Sequence, residues 1–301
     1  MDLEQLRYFR AAARLQHLRA AADELGISQS TLSRSIARLE DSYGVKLFDR
    51  VGRGIRINEY GRALHVGVQR ALALLEDTER ELRDLAGTRA SEVRLGFLGS
   101  FGGREVPALI SDLRTRHPDV RVRLLQGAFP FLQERLLAGE VDACLASPRF
   151  AQAEIEWRPL WDEELVAVVP PTHRLAARTS LVFEELAQDP MVALKPGYGL
   201  RLALDDMARR SGFTPRIEFE SDEAATLAGL VGAGFGVALL PRSIIGGPGV
   251  RIPIDVDGAR CFRSIGLSWL RDRYASPAVL ALRARAIQLF DPDASAQRRE
   301  R

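Results

Sequence analysis

The chain has 301 residues and a net charge of +2, with 46% hydrophobic and 27% charged residues. This length exceeds one comfortable hydrophobic core, so we expect two or three domains. The sequence has no apolar run of about 18 residues, which excludes a transmembrane helix, and its amphipathic, acid-bearing start predicts no signal peptide. We therefore expect a cytoplasmic protein without a membrane partner. Any affinity for nucleic acid must come from locally placed arginines, because the net charge is small.

Residues 18 to 43 have the pattern of a helix-turn-helix, in which the second helix enters the major groove of DNA. Ser28 lies where an N-cap belongs, and apolar residues then recur at helical spacing. Arg34 can reach guanine O6 and N7, and Gln29 can reach adenine N6 and N7. The predicted buried stripe consists of Leu32, Ile36 and Leu39. The predicted DNA contacts of this helix are Ser28, Gln29, Ser30, Thr31, Ser33, Arg34 and Arg38.

A short basic hairpin, here called the wing, is predicted over residues 46–58. Its apolar and charged residues alternate as in half-buried strands, and two glycines permit a turn between the strands. Arg50, Arg53 and Arg56 are predicted to cluster on this ribbon, where they suit contact with phosphates or with a narrow minor groove. Ordinary solvated arginines are the alternative interpretation.

The next segment predicts a long helix with one apolar seam, because its seam residues are spaced alternately by four and three. The seam consists of Leu64, Val68, Ala71, Leu75, Thr78, Leu82 and Leu85. The residues between are mostly charged, which favours pairing with a second helix over packing on the same domain. We therefore predict a homodimer through Leu64, Val68, Ala71, Leu75, Leu82 and Leu85. Its two DNA-binding units would contact an interrupted near-palindrome in double-stranded DNA. Residues 87–91 predict a hinge.

From residue 92 onward, short apolar strands alternate with helices, which predicts an α/β fold with largely parallel sheets. Strands are predicted at 93–98, 120–125, 141–146, 166–169, 191–194, 217–219, 236–240, 251–254 and 264–270. Helices are predicted at 103–116, 130–138, 200–211, 223–232 and 277–289. Strands near Val166–Val169 and Ile265–Trp269 are expected to cross between two halves and to leave a cleft. The polar tail from Asp291 to Arg301 predicts disorder.

Motifs in both halves of the chain resemble those of LysR-type transcriptional regulators, which are bacterial DNA-binding proteins. In the first 61 residues the resemblance is carried by MDLEQLRYF and by AAADELGISQSTLSRSIARLEDSYGVKLFDR. Arg19 replaces the usual Ser or Thr cap of the second helix, so that cap is expected to be weaker or supplied otherwise. Asn58 replaces a frequent Thr and caps a helix equally well. The runs LLQGAFPFLQERLLAGEVDACLASP, GFTPRIEFES and GLVGAGFGVALLP most resemble the subgroup that includes the activator of glutamate synthase.

The resemblance implies an N-terminal all-α winged helix-turn-helix with a long dimerisation helix, followed by a C-terminal α/β, two-lobed, periplasmic-binding-protein-like effector domain. We predict a DNA-binding domain at 1–60, a linker and dimerisation helix at 61–89, and an effector domain at 90–301. Lobe I is predicted at about 92–166 and 266–290, and lobe II at about 170–263. The resemblance also implies a small-molecule inducer, a tetramer built as a dimer of dimers, and RNA polymerase as a further partner.

Ligands in open α/β sheets bind at the carboxyl ends of strands, near helix N-termini. Backbone N–H groups at helix starts favour a carboxylate, and Arg201 or Arg104 could add positive charge. The resemblance implies a hydroxyl contact from Ser100. The predicted effector contacts are Ser100, Phe101, Gly102, Gln126, Ser147, Tyr198, Gly199, Arg201 and Ser221. Capping or surface roles are the alternative for Gln126, Ser147, Tyr198 and Arg201, and Glu220 would repel an anion unless it faces away.

No sequence motif predicts an enzyme. The glycine-rich segment Gly232–Gly236 follows a helix and precedes a strand, which is the reverse of a dinucleotide-binding motif. Leu98–Gly102 lacks the first glycine of a nucleophile elbow, and the four histidines have no metal-ligand spacing. We therefore expect no catalytic residue, metal or cofactor. A solute-binding protein would need a signal peptide, and an architectural DNA-binding protein would not need the two-lobed half.

The two cysteines, Cys144 and Cys261, each lie in an apolar, strand-like run far apart in the sequence. They predict reduced core thiols in a cytoplasm. A redox-sensing pair is the alternative.

Overall fold

The structure is a computed structural model that describes residues 2–52, 54–86, 92–244 and 247–290. The chain divides into an N-terminal unit that reaches residue 88 and a C-terminal unit that contains nearly all of the rest. Within the described ranges, no helix is long and apolar enough to cross a membrane. Arg53, the predicted hinge at 87–91 and the predicted disordered tail lie outside the described residues.

Three helices open the N-terminal unit, and each begins at a side-chain cap. They are α1 (Leu3–Leu15), α2 (Leu18–Leu25) and α3 (Gln29–Tyr43), and their caps are Asp2, His17 and Ser28. Because α2 begins at Leu18, Arg19 lies inside its first turn. The cap is supplied by His17, whose Nδ1 accepts a hydrogen bond from the backbone N–H of Ala20 at 3.2 Å. Gly26 ends α2 with a φ of 67°, which glycine adopts without strain and which permits the tight turn into α3.

The apolar stripe predicted for α3 is buried. Leu32, Ile36 and Leu39 form one cluster with Phe9 and Ala12 of α1. The polar residues at the start of α3 are therefore directed away from this core, because a helix turns by about 100° per residue.

The predicted wing is an antiparallel hairpin that leads directly into a long helix. Its strands are β1 (Phe48–Val51) and β2 (Gly54–Ile57), and the helix is α4 (Glu59–Leu85). Asn58 caps α4 as predicted, since its Oδ1 accepts from the N–H of Gly61 at 2.9 Å. A Cβ at Gly61 would lie 2.2 Å from the carbonyl oxygen of Leu47, so only glycine allows this close approach of helix and wing.

The first half of the C-terminal unit is a parallel sheet with helices. In chain order its elements are β3 (Glu92–Phe97), α5 (Glu105–Arg116), β4 (Arg121–Gln126), α6 (Phe129–Leu137) and β5 (Ala143–Ala146). β3 lies between β4 and β5 and pairs in parallel with both. Parallel pairing directs the carboxyl ends of these strands to the same edge of the sheet.

The remaining elements build a second α/β half and return the chain to the first. They are β6 (Ile155–Val169), β7 (Leu181–Val182), β8 (Met191–Leu194), α7 (Gly199–Arg210), β9 (Ile217–Ser221), α8 (Ala224–Gly232), β10 (Ala238–Pro241), β11 (Val250–Val256), β12 (Ala259–Arg260), β13 (Phe262–Leu270) and α9 (Pro277–Phe290). β8 pairs in parallel with β9. The core of this half includes Val166, Met191, Leu204, Leu227 and Leu239.

The strand β6 belongs to both halves, as predicted, whereas β13, which was also expected to cross, pairs among the described strands with β5 and with residues 155–164 of β6. Residues 155–164 of β6 pair with β13, and residues 165–169 pair with β10 and β11. β13 also pairs with β5. All of these pairings are antiparallel, so the sheet is mixed rather than largely parallel.

The strand β6 has 15 residues, whereas the sequence predicted only its last four. Its first part interleaves charged and apolar residues, so a search for apolar runs does not detect it. The two-residue strands β7 and β12 are too short to show any periodicity.

Candidate nucleic-acid interface and ligand cleft

The exposed face of α3 carries the polar residues that the sequence predicted there. Gln29, Ser30, Ser33, Arg34 and Arg38 are all exposed. The Nε of Arg34 donates to the carbonyl oxygen of Ser30 at 3.3 Å, and its two Nη groups have no partner within the described ranges. The guanidinium is therefore held near the helix start with donors available to a base edge.

Ser28 and Thr31 have a different role from their neighbours. The Ser28 Oγ accepts from the backbone N–H of Thr31 at 3.1 Å and lies 2.8 Å from the Thr31 hydroxyl. These hydroxyls stabilise the first turn of α3, so they are less free to bind DNA than the sequence suggested.

The arginines of the wing do not form one cluster. Arg56 lies directly opposite Asp49, and Arg50 lies directly opposite Ile55. Residues opposite each other share a face of a hairpin, and successive residues alternate between faces. Arg50 and Arg56 are both exposed but on opposite faces, so the predicted common cluster is wrong for this pair.

The wing is attached to the helical core by Gln16, which adopts a left-handed conformation with a φ of 48°. Its carbonyl oxygen accepts from the N–H of Ile55, and its Oε1 accepts from the N–H of Ile57, both at 3.3 Å. Directly before β1, the N–H of Leu47 donates to the buried Glu40 at 2.9 Å. The wing therefore has a defined position relative to α3.

Only part of the predicted seam of α4 is available to a partner. Val68 is fully buried in the core of its own unit, so assigning it to a dimer contact is wrong, and Leu64 is partly buried against the same core. By contrast, Leu75, Leu82 and Leu85 are 45%, 61% and 79% exposed. Ala71 and Thr78 are also exposed. The second half of α4 thus presents an apolar stripe that the described residues of its own unit leave exposed.

A cavity of about 420 Å³ lies between the two halves of the C-terminal unit. Its walls come from the ends of β3, β4, β8, β9 and β10, from the starts of α5, α7 and α8, and from β13. This is the position expected for a ligand in an α/β sheet. Four predicted effector contacts line it: Ser100, Gln126, Tyr198 and Gly199. Arg104 lines it as well.

The other five predicted contacts are absent from the cavity wall and have structural roles. Phe101 is buried with its ring edge-on to Trp161 at a centroid distance of 5.9 Å. Ser147 is buried, and its carbonyl oxygen would lie 2.3 Å from a Cβ at Gly199. The Oγ of Ser221 accepts from the N–H of Glu223 at 3.2 Å. Gly102 packs near the ring of Phe97, which a Cβ would approach to 3.3 Å.

Arg201, the last of these five, is held by acceptors of its own half. Its Nε donates to Asp205 at 3.0 Å, and its Nη1 donates to the carbonyl oxygen of Leu194 at 3.1 Å and to Glu220. Glu220 is therefore neutralised by Arg201, which removes the repulsion expected from this carboxylate.

Sequence reasoning missed Arg263, which lines the cavity from β13. Its side chain is only 6% exposed and is ion-paired with Glu163. Its Nη2 also donates to the Ser100 Oγ at 3.2 Å. One signal in the sequence could have found it. Arg263 lies two and four residues before Ile265 and Leu267, and residues at that spacing share one face of a strand. Because Ile265 and Leu267 are apolar, this face is expected to be buried, and Arg263 with it.

The three helices that begin at the cavity have no side-chain caps. The N-cap residues of α5, α7 and α8 are Arg104, Tyr198 and Glu223, and none of their side chains accepts from the helix. The first N–H groups of these helices therefore lack the side-chain acceptor that N-caps usually supply, and they carry partial positive charge.

Acidic residues line the wall contributed by the second half. Asp222 accepts from Lys195 Nζ at 2.6 Å and from the Tyr198 hydroxyl at 2.9 Å, and these hydrogen bonds lower the pKa of Asp222. Burial, followed by the hydrogen bond to Asp222, raises the pKa of Tyr198. Glu223 has no ion pair or side-chain hydrogen bond within the described residues.

Neither cysteine has the environment of a reactive thiol. Cys144 is fully buried, and burial raises the pKa of its thiol. Burial likewise raises the pKa of Cys261. A reactive cysteine needs a lowered pKa and access to solvent. Within the described ranges, no group of His, Cys, Asp or Glu is arranged to hold a metal ion.

The glycine-rich segment is a helix-to-strand turn, as predicted. It connects α8 to β10, and Gly234 and Gly236 have φ angles of 85° and 145°. These are conformations that favour glycine.

Two family profiles match the chain. One is described as a bacterial regulatory helix-turn-helix protein of the lysR family and matches residues 3–62. The other is described as a LysR substrate binding domain and matches residues 86–291. Together they span the helix-turn-helix and the cavity.

Similar proteins include two regulators of Bacillus subtilis strain 168. The HTH-type transcriptional regulator YybE is 40% identical over 96% of this chain and 99% of its own length. The transcriptional dual regulator GltC is 30% identical over 96% of this chain and 98% of its own length.

Similar solved structures include one full-length protein and one isolated domain. A full-length OxyR variant from Pseudomonas aeruginosa has a TM-score of 0.66 and 26% identity, covering 95% of this chain and 98% of that one. The effector binding domain of QuiR in complex with shikimate has a TM-score of 0.62 and 25% identity, covering 67% of this chain and 98% of that one.

Proposed function

The chain belongs to the LysR family of bacterial transcriptional regulators, and we propose that a small carboxylate bound in its cleft controls how it binds DNA. It is a DNA-binding regulator with an effector-binding domain, and its family and relatives are regulators rather than enzymes.

We assign residues 1–60 to a winged helix-turn-helix, 61–89 to a dimerisation helix and 90–301 to the effector domain. Lobe I comprises about 92–166 and 266–290, and lobe II about 170–263. The extent of β6 supports this division, since its residues 155–164 pair with β13 and its residues 165–169 pair with β10 and β11.

DNA contact is assigned to the exposed face of α3 and to the wing. Arg34 and Gln29 contact bases, while Arg38, Arg50 and Arg56 contact phosphates. Since Arg50 and Arg56 lie on opposite faces of the hairpin, they contact different phosphates or different strands. Arg53 was predicted with them and lies outside the described residues.

Dimerisation is assigned to the second half of α4, where Ala71, Leu75, Leu82 and Leu85 are exposed. Two copies related by a two-fold axis would contact two half-sites of an interrupted near-palindrome. We further propose a tetramer of two such dimers, contact with RNA polymerase, and a cytoplasmic location, where the protein has access to the chromosome.

A carboxylate ligand is supported by the chemistry of the cavity. The Ser100 hydroxyl, the helix starts of α5 and α7, and the guanidinium of Arg263 all favour negative charge in the cavity. The QuiR domain was solved with shikimate, a hydroxylated carboxylate. The absence of side-chain caps around a cavity of about 420 Å³ is the observation that carries this proposal.

Selection from a random double-stranded DNA library with the full chain tests the regulator proposal. We expect enrichment of two half-sites separated by a spacer. The selected DNA is then titrated with and without 2-oxoglutarate, glutamate and aromatic carboxylates. Binding of each carboxylate is measured separately by thermal melting of the protein. A ligand at 100 times its Kd adds about 2.7 kcal/mol of stability, which raises the Tm by roughly 5–10 °C. Absence of an enriched motif would contradict the DNA assignment, and carboxylates that bind without changing DNA affinity would contradict the control mechanism.

A further inference from the structure

Arg263 and Glu163 form a buried ion pair at the point where the two lobes share strands. They lie directly opposite each other on β13 and β6. The Nε and Nη2 of Arg263 both donate to the same carboxylate oxygen, Glu163 Oε2, at 2.8 and 2.6 Å. The other oxygen, Oε1, accepts from the hydroxyl of Ser243. Both carboxylate oxygens of Glu163 are therefore hydrogen-bonded, one to Arg263 and the other to Ser243.

The hydrogen bonding of Arg263 is incomplete on the cavity side. Its Nη1 has no partner within the described ranges, although the side chain lines the cavity. Its Nη2 donates to Ser100 Oγ, so the Ser100 hydroxyl keeps its own proton for another acceptor. The guanidinium also lies over the ring of Phe101 at 5.1 Å. These contacts fix the guanidinium and leave two donors for a ligand anion.

The charges that face Arg263 limit what kind of ligand fits. Burial lowers the pKa of Arg263, yet the group stays charged at neutral pH. Glu105 faces it and is ion-paired with Arg104 at 2.7 Å. On the lobe II wall, Asp222 is paired with Lys195, whereas Glu223 has no ion pair in the part of the chain that the structure describes. The cavity is thus cationic at Arg263 and acidic at Glu223.

We propose that Arg263 is the anion-binding residue of the cleft and that Glu163 is its internal competitor. A ligand carboxylate accepts from Arg263 Nη1 and from the Ser100 hydroxyl, and it draws the guanidinium away from Glu163. The far end of the ligand carries a hydroxyl or amino donor, which suits the unpaired Glu223. This inference rests on the proposed ligand cleft and assigns its ligand class as a hydroxy- or amino-carboxylate.

Substitution of the competitor gives the sharpest test. Glu163→Gln keeps the shape and a hydrogen-bond acceptor but removes the negative charge, so binding of an anion should tighten by about tenfold. The probes are cyclohexanecarboxylate, its neutral amide and 4-hydroxycyclohexanecarboxylate, titrated calorimetrically into the full chain. We expect the wild type to prefer the carboxylate over the amide and to prefer the hydroxylated acid over the plain acid. Glu163→Gln should tighten both acids and leave the amide unchanged.

Removal of the guanidinium requires a matched double variant. Arg263→Met alone would leave Glu163 buried without its partner and would destabilise the fold. Arg263→Met combined with Glu163→Gln removes both charges, so we expect a folded protein that binds the acid and the amide equally. Glu223→Gln should abolish the preference for the hydroxylated acid without lowering the affinity for the plain acid.

Three outcomes would overturn the inference. These are unchanged or weaker acid binding by Glu163→Gln, equal binding of acid and amide by the wild type, and no binding of any probe by either protein. The double variant separates a binding role from a purely structural ion pair, since removal of a purely structural pair would leave the preference for the acid over the amide unchanged. None of these outcomes bears on the DNA library selection. If the ligand inference failed, an enriched DNA motif would still support the regulator proposal.

Discussion

The helices of the two units begin in different ways. In the N-terminal unit, α1, α2, α3 and α4 are all capped by side chains, from Asp2, His17, Ser28 and Asn58. Around the cavity of the C-terminal unit, α5, α7 and α8 have no side-chain cap. Each uncapped start forgoes about 0.5–2 kcal/mol of helix stabilisation.

The difference indicates what each helix start is used for. A cap satisfies the first N–H groups internally and fixes the helix, which suits a surface that must present side chains to DNA in one geometry. An uncapped start keeps those N–H groups free for an external acceptor. The same backbone groups thus stabilise the fold in one unit and are available to a ligand in the other.

The largest expected effect is the loss of dimerisation through the exposed seam of α4. Leu75→Arg places a charge in the exposed seam of α4, where burial against a partner helix would leave it unpaired. We expect dimers to dissociate at micromolar concentrations, measured as halved mass in light scattering. Leu74→Arg, one residue outside the seam, is the matched control and should perturb the mass less. If the Leu75→Arg protein remained dimeric, the assignment of the dimer contact to the seam of α4 would be wrong.

Arg34→Ala tests the exposed face of α3, which is assigned to DNA contact in the N-terminal unit. We expect a loss of about 1–3 kcal/mol in binding to the selected DNA, together with relaxed preference at one base position. Arg38→Ala is the comparison variant and should weaken binding to all sequences alike while reducing the salt dependence. Footprinting and anisotropy at two salt concentrations separate the two patterns. Unchanged base preference in Arg34→Ala would show that another residue contacts that base.

Ser28→Ala removes one cap from the N-terminal unit. The N–H of Thr31 loses its acceptor, and the free energy of unfolding should fall by about 1 kcal/mol. Ser28→Asp retains an acceptor and should restore stability. Denaturant unfolding of the three proteins measures both effects. Equal stability of the wild type and Ser28→Ala would mean that the cap contributes nothing here.

Glu223→Ser is the opposite experiment, because it adds a cap at the cleft. Glu223 already has an extended backbone, with φ −129° and ψ 132°, which suits an N-cap. We expect Glu223→Ser to be more stable than Glu223→Ala by about 1 kcal/mol and to bind cyclohexanecarboxylate as tightly as Glu223→Ala does, since the carboxylate is bound at Arg263 and Ser100. Thermal melts with and without cyclohexanecarboxylate test this. Weaker binding by the serine variant would place the carboxylate at the start of α8 instead.

The smallest effect is a pH dependence at the same wall. The Lys195 and Tyr198 hydrogen bonds lower the pKa of Asp222 in the folded protein, so their stabilisation is present above the unfolded pKa of about 3.9 and is lost as pH falls through the folded value. Lys195→Met should therefore melt slightly below the wild type at pH 6 and converge with it in strong acid. Asp222 is half-exposed, so the difference is small. A difference in Tm between the two proteins that grows as the pH falls would contradict the lowered pKa of Asp222.

The sequence was most informative where local patterns determine the structure. The Ser28 and Asn58 caps, the buried stripe of α3 and the order of strands and helices all follow from neighbouring residues. The rule that ligands bind at strand ends also identified Ser100 and Gln126 as cavity residues. These predictions needed no knowledge of which elements meet in space.

Three features depended on long-range contacts and were missed for that reason. A heptad pattern predicts burial of Leu64 and Val68 but does not distinguish a partner helix from the helical core of the same unit. The faces of Arg50 and Arg56 depend on the register of the hairpin, which changes with the length of the turn. Arg263 could be assigned to the cavity only once β13 was known to lie between β5 and β6.

The long strand β6 also has a mechanical consequence. It runs through both lobes without a break, so the lobes are joined by backbone hydrogen bonds rather than by a flexible tether. Any opening or closing of the cavity must twist this ladder. The ladder has one irregularity, where the register shifts between Ile265 and Gly266 and passes over Leu160 next to Pro159. Bulges increase local twist and bend strands, so we expect β6 to be bent at this point, a short distance along β13 from the ligand-facing guanidinium of Arg263.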